Sequence, residues 1–328
     1  MPSDTMVITT LSVISAHLNR YLSIAILLFG VVGNLLNCLA LSQRTLRSNP
    51  CALLFLASSI ASLITLISGV TVRLLAGWTI DLTDTVGWLC KFRIFVLFSS
   101  RTAASWLIAM ATIDRWLSSS IDVRLRHISS IKNAQRGIII IICISSLVYA
   151  QIFYCYEANL IDSPLKCYGK TKWCRILIDL EFASISVIIP SLLMFIFGLM
   201  TVLRIRQTSL RQIQPIIVTT LHQSTNRNQR SQPLRKTDHY LLVMLLIQVL
   251  LLTLFSLPQA IGNLYSNITL NQIRSPLNIA INHFIFNLFI LLTYVTNGMP
   301  FYIYTLTGGT VFRRALLKTI REFIHKLT

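Results

Sequence analysis

The chain has 328 residues, of which 54% are hydrophobic and only 12% are charged, and its mean hydropathy is +0.67. A soluble domain of this size needs more charge to cover its surface, so the composition excludes an ordinary water-soluble protein and indicates several membrane crossings. The formal net charge of +18 is carried by short segments between apolar runs, which favours a role in membrane topology over binding to nucleic acid.

Seven apolar segments follow one another along the chain, each long enough to cross the hydrocarbon layer as a helix. Residues 1–20 lack the basic start and the cleavage site of a signal peptide, so we expect an extracellular amino-terminal segment and insertion by the first apolar helix. The predicted spans are 21–43, 51–72, 90–117, 136–156, 176–203, 239–262 and 279–304. The cytoplasmic tail, 305–328, contains an amphipathic stretch that predicts a short eighth helix on the membrane surface. The predicted fold is a single-domain, all-α integral membrane bundle of seven transmembrane helices.

Basic residues are concentrated in every second connection between the predicted spans. Arg44 and Arg47 follow the first span, whereas the next connection carries Asp81 and Asp84. The positive-inside rule therefore predicts an extracellular amino terminus, and we expect a multi-pass protein of the plasma membrane in contact with the lipid bilayer. In this topology Asn267 begins an Asn-Ile-Thr sequence in an outer loop and is a candidate for glycosylation.

The third span joins two chemically different ends. Cys90 lies at its outer end, and three more cysteines lie in outer segments, where disulfides persist: Cys155, Cys167 and Cys174. Arg115 follows Cys90 by 25 residues. Along a helix this is about 38 Å, slightly more than the hydrocarbon core of a bilayer. Asp114-Arg115-Trp116 is therefore expected at the cytoplasmic surface, and the spacing indicates a receptor that signals across the membrane.

Landmark residues occur in a fixed order along the spans: Asn34, Trp78, Cys90, Asp114-Arg115-Trp116, Pro190, Pro258 and Phe312-Arg313. With these residues the chain resembles the rhodopsin-like family of G protein-coupled receptors over nearly its whole length. The resemblance implies a receptor that binds an extracellular ligand and activates a heterotrimeric G protein through a rearrangement of helices three and six. The pattern is also loosely similar to invertebrate neuropeptide receptors of the FMRFamide-receptor type.

The chain departs from the pattern of that family at three places. Ser62 stands where the second helix usually has an acidic residue, which puts a sodium-ion site there in doubt. Ser256 replaces the usual tryptophan of the sixth helix, and Tyr304 follows Pro300 by four residues instead of three. A chemosensory or non-signalling seven-helix protein therefore stays open as an alternative. A membrane transporter is a further alternative.

A charged pair is predicted to act as the switch of the receptor. A desolvated Arg115 must find a partner, and the resemblance implies that Asp238, at the inner start of the sixth span, is that partner. Breaking this contact would let the sixth helix swing about Pro258, which removes a backbone hydrogen bond. The alternative is that Asp114 and Arg115 are an ordinary interfacial pair that reaches to water.

The resemblance further implies a disulfide between Cys90 and the second outer loop. Cys174 lies only 16 residues before Pro190, whereas Cys167 lies 23 residues before it. We therefore favour Cys167 as the partner and keep Cys174 as the alternative. Cys155 and the remaining loop cysteine are the candidates for a second bridge.

The residues expected in the outer half of the bundle predict the kind of ligand. Leu97 stands where amine receptors carry an aspartate, and the seventh span has no lysine for retinal, so a peptide is the leading ligand class. The candidate pocket residues are Arg73, Arg93, Leu97, Arg101 and Glu181. Arg101, the deepest, is expected to hold a carboxylate or carbonyl of the ligand, or else to pair internally with Glu181 or Asp179. No constellation of metal ligands or catalytic nucleophiles stands out, so we expect neither an enzyme nor a metal or organic cofactor.

Overall fold

A computed structural model gives the fold of the chain. It describes residues 2–78, 83, 85–120, 122–160, 165–213, 232–268, 275–307, 313, 316–318 and 321, without the side chains at 2, 3, 44, 45, 205–213, 232–242, 244, 245, 267, 268 and 307. Most of the predicted eighth helix, the aspartates of the first outer connection, and the side chains of Asp238 and Asn267 lie outside this description.

Seven helices in the described residues are long and apolar enough to cross a membrane. These helices, called spans 1 to 7 below, are Asp4–Leu41, Pro50–Gly77, Gly87–Ser118, Ile131–Cys155, Lys172–Arg204, Leu246–Ser266 and Pro276–Gly298. The predicted all-α bundle of seven helices is confirmed. The chain is therefore a multi-pass membrane protein, with the lipid bilayer as its surroundings.

Span 1 begins much earlier than the predicted bounds of 21–43. A helix at Pro2–His17 runs through a π-helical turn at Leu18–Leu22 into a second helix at Ser23–Leu41. The sequence from Ser3 to Phe29 contains neither glycine nor proline, so nothing in it interrupts the helix. The added turns pack on span 7, where the Asn287 amide donates a hydrogen bond to the Ser15 hydroxyl at 3.0 Å.

Three prolines lie within or directly after spans 5, 6 and 7, and two of them coincide with an irregularity of the helix. Pro190 follows a π-helical segment at Phe182–Ile188, which divides span 5 into Lys172–Glu181 and Ile189–Ile213. Pro258 lies inside the long helix Gln232–Ile268, which contains span 6. Pro300 begins the helix Pro300–Thr307 after span 7 ends at Gly298, so the predicted span 279–304 is two helices rather than one. Each proline lacks the N–H that a regular α-helix would use, which accounts for these positions.

Short elements connect the spans. Helices at Arg44–Arg47 and Val123–Ile128 lie before span 2 and after span 3, and a short helix at Ile152–Cys155 forms the last turn of span 4. Two short strands, β1 (Tyr156–Glu157) and β2 (Tyr168–Gly169), pair antiparallel between spans 4 and 5, with Tyr156 opposite Gly169. This hairpin and the outer cysteines lie at one end of the bundle, called the disulfide end. Arg115 lies at the other end, called the arginine end.

The distribution of side chains is the reverse of that in a soluble protein. Large apolar residues face outward along the spans, among them Leu28, Phe29, Ile139, Leu147, Phe195 and Leu250. Polar side chains are buried between the helices, among them Asn34, Ser62, Thr102, Gln248, Gln259 and Asn297. Spans 2 and 3 share the most extensive contact, and separate apolar clusters lie toward the disulfide end and the arginine end. Between these clusters the interior contains buried polar side chains, and Arg101 lies among them.

Candidate functional site

Arg115 is held by the connection between spans 1 and 2. Its Nη2 donates a hydrogen bond to Oδ1 of Asn49 at 2.8 Å. The same Asn49 oxygen caps the start of span 2 by accepting from the N–H of Cys51 at 3.0 Å. The Asn49 side chain therefore couples the position of the Arg115 guanidinium to the first turn of span 2.

Asp114 bonds to the connection between spans 3 and 4, not to the connection that holds Arg115. It is 8% exposed, and its Oδ1 accepts a hydrogen bond from the Ser129 hydroxyl at 2.7 Å. Ser129 belongs to the connection between spans 3 and 4. The carboxylate thus fastens this connection to the helix, and neighbouring Asp114 and Arg115 reach two different connections.

Trp116 links span 3 to span 5. Its ring packs against the edge of Phe197 with centroids 5.2 Å apart, and the Arg204 guanidinium lies 4.5 Å from the centroid of the same ring. Arg204 also donates a hydrogen bond to the Trp116 carbonyl at 3.3 Å. Together these contacts arrange Asp114-Arg115-Trp116 so that span 3 touches span 2, span 5 and two connections at the arginine end.

Tyr304 joins spans 6 and 2 to the helix that follows span 7. It is 1% exposed, its hydroxyl donates to Oε1 of Gln248 at 3.1 Å, and its ring lies 5.0 Å from that of Phe55. Nearby, the Asn34 amide donates to the carbonyls of Gly30 and Asn297, both at 2.8 Å. These two contacts fix the helix break before Pro300 against spans 1, 2 and 6.

Arg101 lies in the centre of the bundle and is 7% exposed. Its Nη2 donates to Oε1 of Gln259 at 3.0 Å, and its guanidinium stacks over Phe182 at 4.6 Å and Tyr294 at 5.9 Å. Internal pairing of Arg101 with Glu181 or Asp179 was one of two alternatives, and in the structure span 6 presents the Gln259 amide to Arg101. Glu181 accepts a hydrogen bond from Gln151, and Asp179 accepts one from Asn263 at 2.8 Å.

Two disulfides fasten the segment between spans 4 and 5. Cys90 is bonded to Cys167, the favoured of the two predicted partners, and Cys155 is bonded to Cys174, which completes the second candidate bridge. Arg93 lies beside the first bridge, with Nη2 3.9 Å from Sγ of Cys167. The hairpin of β1 and β2 lies between the bridged cysteines, so the loop is fixed over the bundle.

Two tyrosines of this hairpin are buried as neutral groups. Tyr156 and Tyr168 pack edge to face with centroids 6.2 Å apart. Burial raises the pKa of both hydroxyls above its ordinary value, because the phenolate would lose its hydration there. Arg175 stacks over Tyr168 at 5.1 Å and donates from Nε to the carbonyl of Gly169, which attaches β2 to span 5.

The other candidate pocket residues are spread over the disulfide end. Arg73 donates to Oδ1 of Asn287 at 3.1 Å, which connects spans 2 and 7. Leu97 is 7% exposed and belongs to the apolar cluster, so it fills the core rather than lining an open surface. Trp78 ends span 2 and lies under the Arg20 guanidinium at 5.1 Å. The structure does not gather Arg73, Arg93, Arg101 and Glu181 into one cluster.

Two cavities open near the disulfide end. One of about 300 Å³ lies between the amino-terminal helix, span 2 and span 7, and is bordered by Ser12, Ser15, Asn19, Gly77, His283 and Phe284 among others. The other, of about 110 Å³, lies between spans 6 and 7, next to Tyr265, Ser266, Asn282 and Phe286. Both are formed by segments that the sequence did not mark as pocket residues.

Several partner residues at these sites have no motif in the sequence. Gln248, Gln259 and Asn287 are polar residues inside apolar spans, and this is the signal that could have marked them as functional. Asn49 carries the helix-start pattern of an asparagine before a proline. Which residue each of them contacts depends on the packing of helices far apart in sequence.

Comparison of the sequence with models of known families finds no match, and no curated protein matches it at a significant level. The described residues contain no group of three or more His, Cys, Asp or Glu side chains that could hold a metal ion. The function is therefore inferred from the geometry above.

Proposed function

We propose that the chain is a cell-surface receptor of the G protein-coupled type, with its amino terminus and disulfide end outside and its arginine end in the cytoplasm. The basic connections at the arginine end support this orientation by the positive-inside rule. The two disulfides support it as well, because such bonds persist on the oxidising side of a membrane. The proposed location is the plasma membrane.

The observation that carries the proposal is the construction of span 3. Span 3 is one continuous helix, Gly87–Ser118. At one end Cys90 is bonded to the loop between spans 4 and 5, and the other end bears Asp114, Arg115 and Trp116. Because these side chains contact span 5, the connection between spans 1 and 2 and the connection between spans 3 and 4, a change in how span 3 packs would alter the cytoplasmic surface. A ligand that binds one packing better than another would shift their populations.

A peptide is the proposed ligand. The cavity of about 300 Å³ opens beside the amino-terminal helix, and the doubly bridged loop covers the neighbouring part of the disulfide end. The wall of this cavity mixes apolar side chains with Ser12, Ser15, Asn19 and His283, which suits peptide side chains and amide groups. Arg73 lies near this wall through its bond to Asn287.

The test is a screen of a peptide library on cells that express the chain, read out by activation of co-expressed heterotrimeric G proteins. A peptide that activates the wild-type chain should fail on Arg115→Ala while surface expression of that variant persists. Peptide-independent uptake of labelled solutes without nucleotide exchange on the G protein would instead favour a transporter and contradict the proposal.

The proposed restraint on activation is a contact between Arg115 and Asp238. The helix that bears Asp238 continues into span 6, whose Gln248 bonds to Tyr304, so movement of span 6 would also affect the helix after Pro300. Asp238→Ala should raise signalling in the absence of ligand. Asp122→Ala is the matched control, since Asp122 is an exposed acid that only caps the short helix Val123–Ile128. Unchanged basal signalling in Asp238→Ala would overturn the contact.

A further inference from the structure

A small cavity with a volume of about 20 Å³ lies deep in the bundle, between spans 2, 3, 5, 6 and 7. This volume accommodates one particle of the size of a water molecule or a monatomic ion. Its polar wall is formed by Ser62, Arg101, Ser105, Gln248, Ser256 and Asn297, among other residues. The cavity therefore combines a very small size with an unusually polar lining for the middle of a membrane.

The charge of this lining is positive and is not balanced within it. None of the residues that line the cavity is acidic, whereas Arg101 contributes a guanidinium. The two acidic side chains of span 5, Asp179 and Glu181, accept hydrogen bonds from Asn263 and Gln151. An arginine buried to this degree in hydrocarbon is costly unless a negative group offsets its charge.

The lining also presents hydrogen-bond donors to the cavity. A guanidinium carries five N–H donors. Within the described residues, the hydrogen bond of the Arg101 guanidinium goes to Oε1 of Gln259, an oxygen that also accepts from the Thr293 hydroxyl at 2.7 Å. Gln248 is 4% exposed, and its Nε2 has no hydrogen-bond partner there although its Oε1 accepts from Tyr304. Both the charge and these donors select an anion rather than a cation.

We propose that this cavity binds a small monovalent inorganic anion of the size of chloride, with Arg101 as its charged partner. The volume excludes larger anions such as gluconate, and the depth separates the site from the cavities at the disulfide end. The bound anion would neutralise Arg101 between spans 3, 6 and 7 and so stabilise their packing. This inference concerns the folded bundle itself and does not depend on the identity of an extracellular ligand.

The test uses the purified full-length chain in detergent, with chloride replaced stepwise by gluconate at constant ionic strength. Each tenfold increase in chloride above the dissociation constant should raise the midpoint of thermal unfolding by roughly 3 °C. Arg101→Gln should lose this chloride dependence, and Lys91→Gln, which removes one positive charge from the same helix, should keep it. Bromide should replace chloride, and sulfate should not.

If Arg101→Gln does not fold, a second variant tests whether the cavity binds chloride. Ser62→Asp places a carboxylate in the wall of the same cavity, where it can neutralise Arg101 from within. It should unfold at a higher temperature than the wild type in gluconate and no longer respond to chloride. A wild-type midpoint independent of chloride would overturn the proposal, as would a chloride response that persists in Arg101→Gln or Ser62→Asp.

Discussion

Arg101 and Gln259 are the residues on which the centre of the bundle depends most. The Gln259 oxygen accepts hydrogen bonds from both Arg101 and Thr293, so a single side chain satisfies donors from spans 3 and 7. A hydrogen bond to a buried charged group is worth about 1.5–3 kcal/mol, and leaving the charge without an acceptor costs more. The amide is therefore expected to be a main determinant of stability at this level of the membrane.

Two substitutions of Gln259 test whether its amide determines the stability of the bundle, one by removing the acceptor and one by replacing it with a carboxylate. Gln259→Leu should lower the free energy of unfolding by about 2–3 kcal/mol, because Arg101 loses its acceptor, whereas the Thr293 hydroxyl keeps the Phe289 carbonyl at 2.8 Å. Gln259→Glu has nearly the same shape and supplies a carboxylate, so its unfolding midpoint should equal or exceed that of the wild type. Thermal unfolding of the purified variants measures both. Equal destabilisation by leucine and glutamate would contradict this account, because glutamate keeps both the shape of the side chain and the acceptor for Arg101.

Contacts between side chains of different spans could be predicted from the sequence only in part. The sequence correctly marked Arg101 as an unusual charge inside a span, since its position in an apolar run is visible locally. Its partner lies 158 residues away on span 6, and the acids expected instead belong to span 5. The choice between them depends on how spans 5 and 6 are rotated, which hydropathy does not specify. For Cys90, the family resemblance implied a bridge to the second outer loop, and spacing favoured Cys167, the partner that the structure has, over Cys174.

At the scale of elements, spans 1 and 7 approach closely through two glycines. A Cβ on Gly298 would lie 3.1 Å from the Cα of Gly30, and one on Gly30 would lie 2.7 Å from Cδ1 of Leu66 and 3.2 Å from the Cα of Gly298. Small residues of this kind let helix backbones pack together in lipid. Asn34 and Asn297 bond at the same crossing, so the contact is both close and polar.

Gly298→Ala should therefore destabilise the bundle by about 1–3 kcal/mol, since the backbone of span 1 must move to admit the methyl group. Gly87→Ala is the matched control because a Cβ there meets no atom within 4 Å. It should be neutral or slightly stabilising, since alanine is the better helix former. Thermal midpoints of the two variants compare directly, and an unaffected Gly298→Ala would show that the glycine contact is not tight.

The two disulfides should contribute unequally to stability because they close loops of different length. Cys90 and Cys167 are separated by 77 residues, and Cys155 and Cys174 by 19. The chain-entropy relation gives roughly 4.5 kcal/mol for the longer loop and roughly 3 kcal/mol for the shorter one. Replacing each pair by serine should lower the unfolding midpoint in that order. Non-reducing peptide mapping checks the pairing, and a peptide joining Cys90 to Cys174 would contradict the structure.

The elements themselves were largely predictable because hydropathy and length report directly on membrane crossing. Spans 2 to 5 were predicted at nearly the bounds that the structure has. Span 1 was predicted too short, since residues 1–20 are less apolar and their helix is stabilised by contact with span 7. The break at Met299 was also missed, because proline beside glycine does not by itself distinguish a kink from an interruption of the helix.

At the scale of the whole molecule, the account depends on the two ends of span 3 lying on opposite sides of the membrane. The helix carries Cys90 near one end and Arg115 near the other. The outward-facing apolar side chains and buried polar side chains fit a protein surrounded by lipid along this length. The proposed receptor function requires this arrangement, because its ligand and its G protein would lie on opposite sides of the membrane.

Labelling of single cysteines with a membrane-impermeant maleimide tests this arrangement most directly. Thr85→Cys and Arg124→Cys place exposed thiols just beyond the two ends of span 3, in a Cys143→Ser background that removes the exposed free cysteine. Thr85→Cys should be labelled on intact cells, whereas Arg124→Cys should be labelled only after the cells are permeabilised. Labelling of both positions, or of Arg124→Cys alone, on intact cells would contradict the proposed receptor.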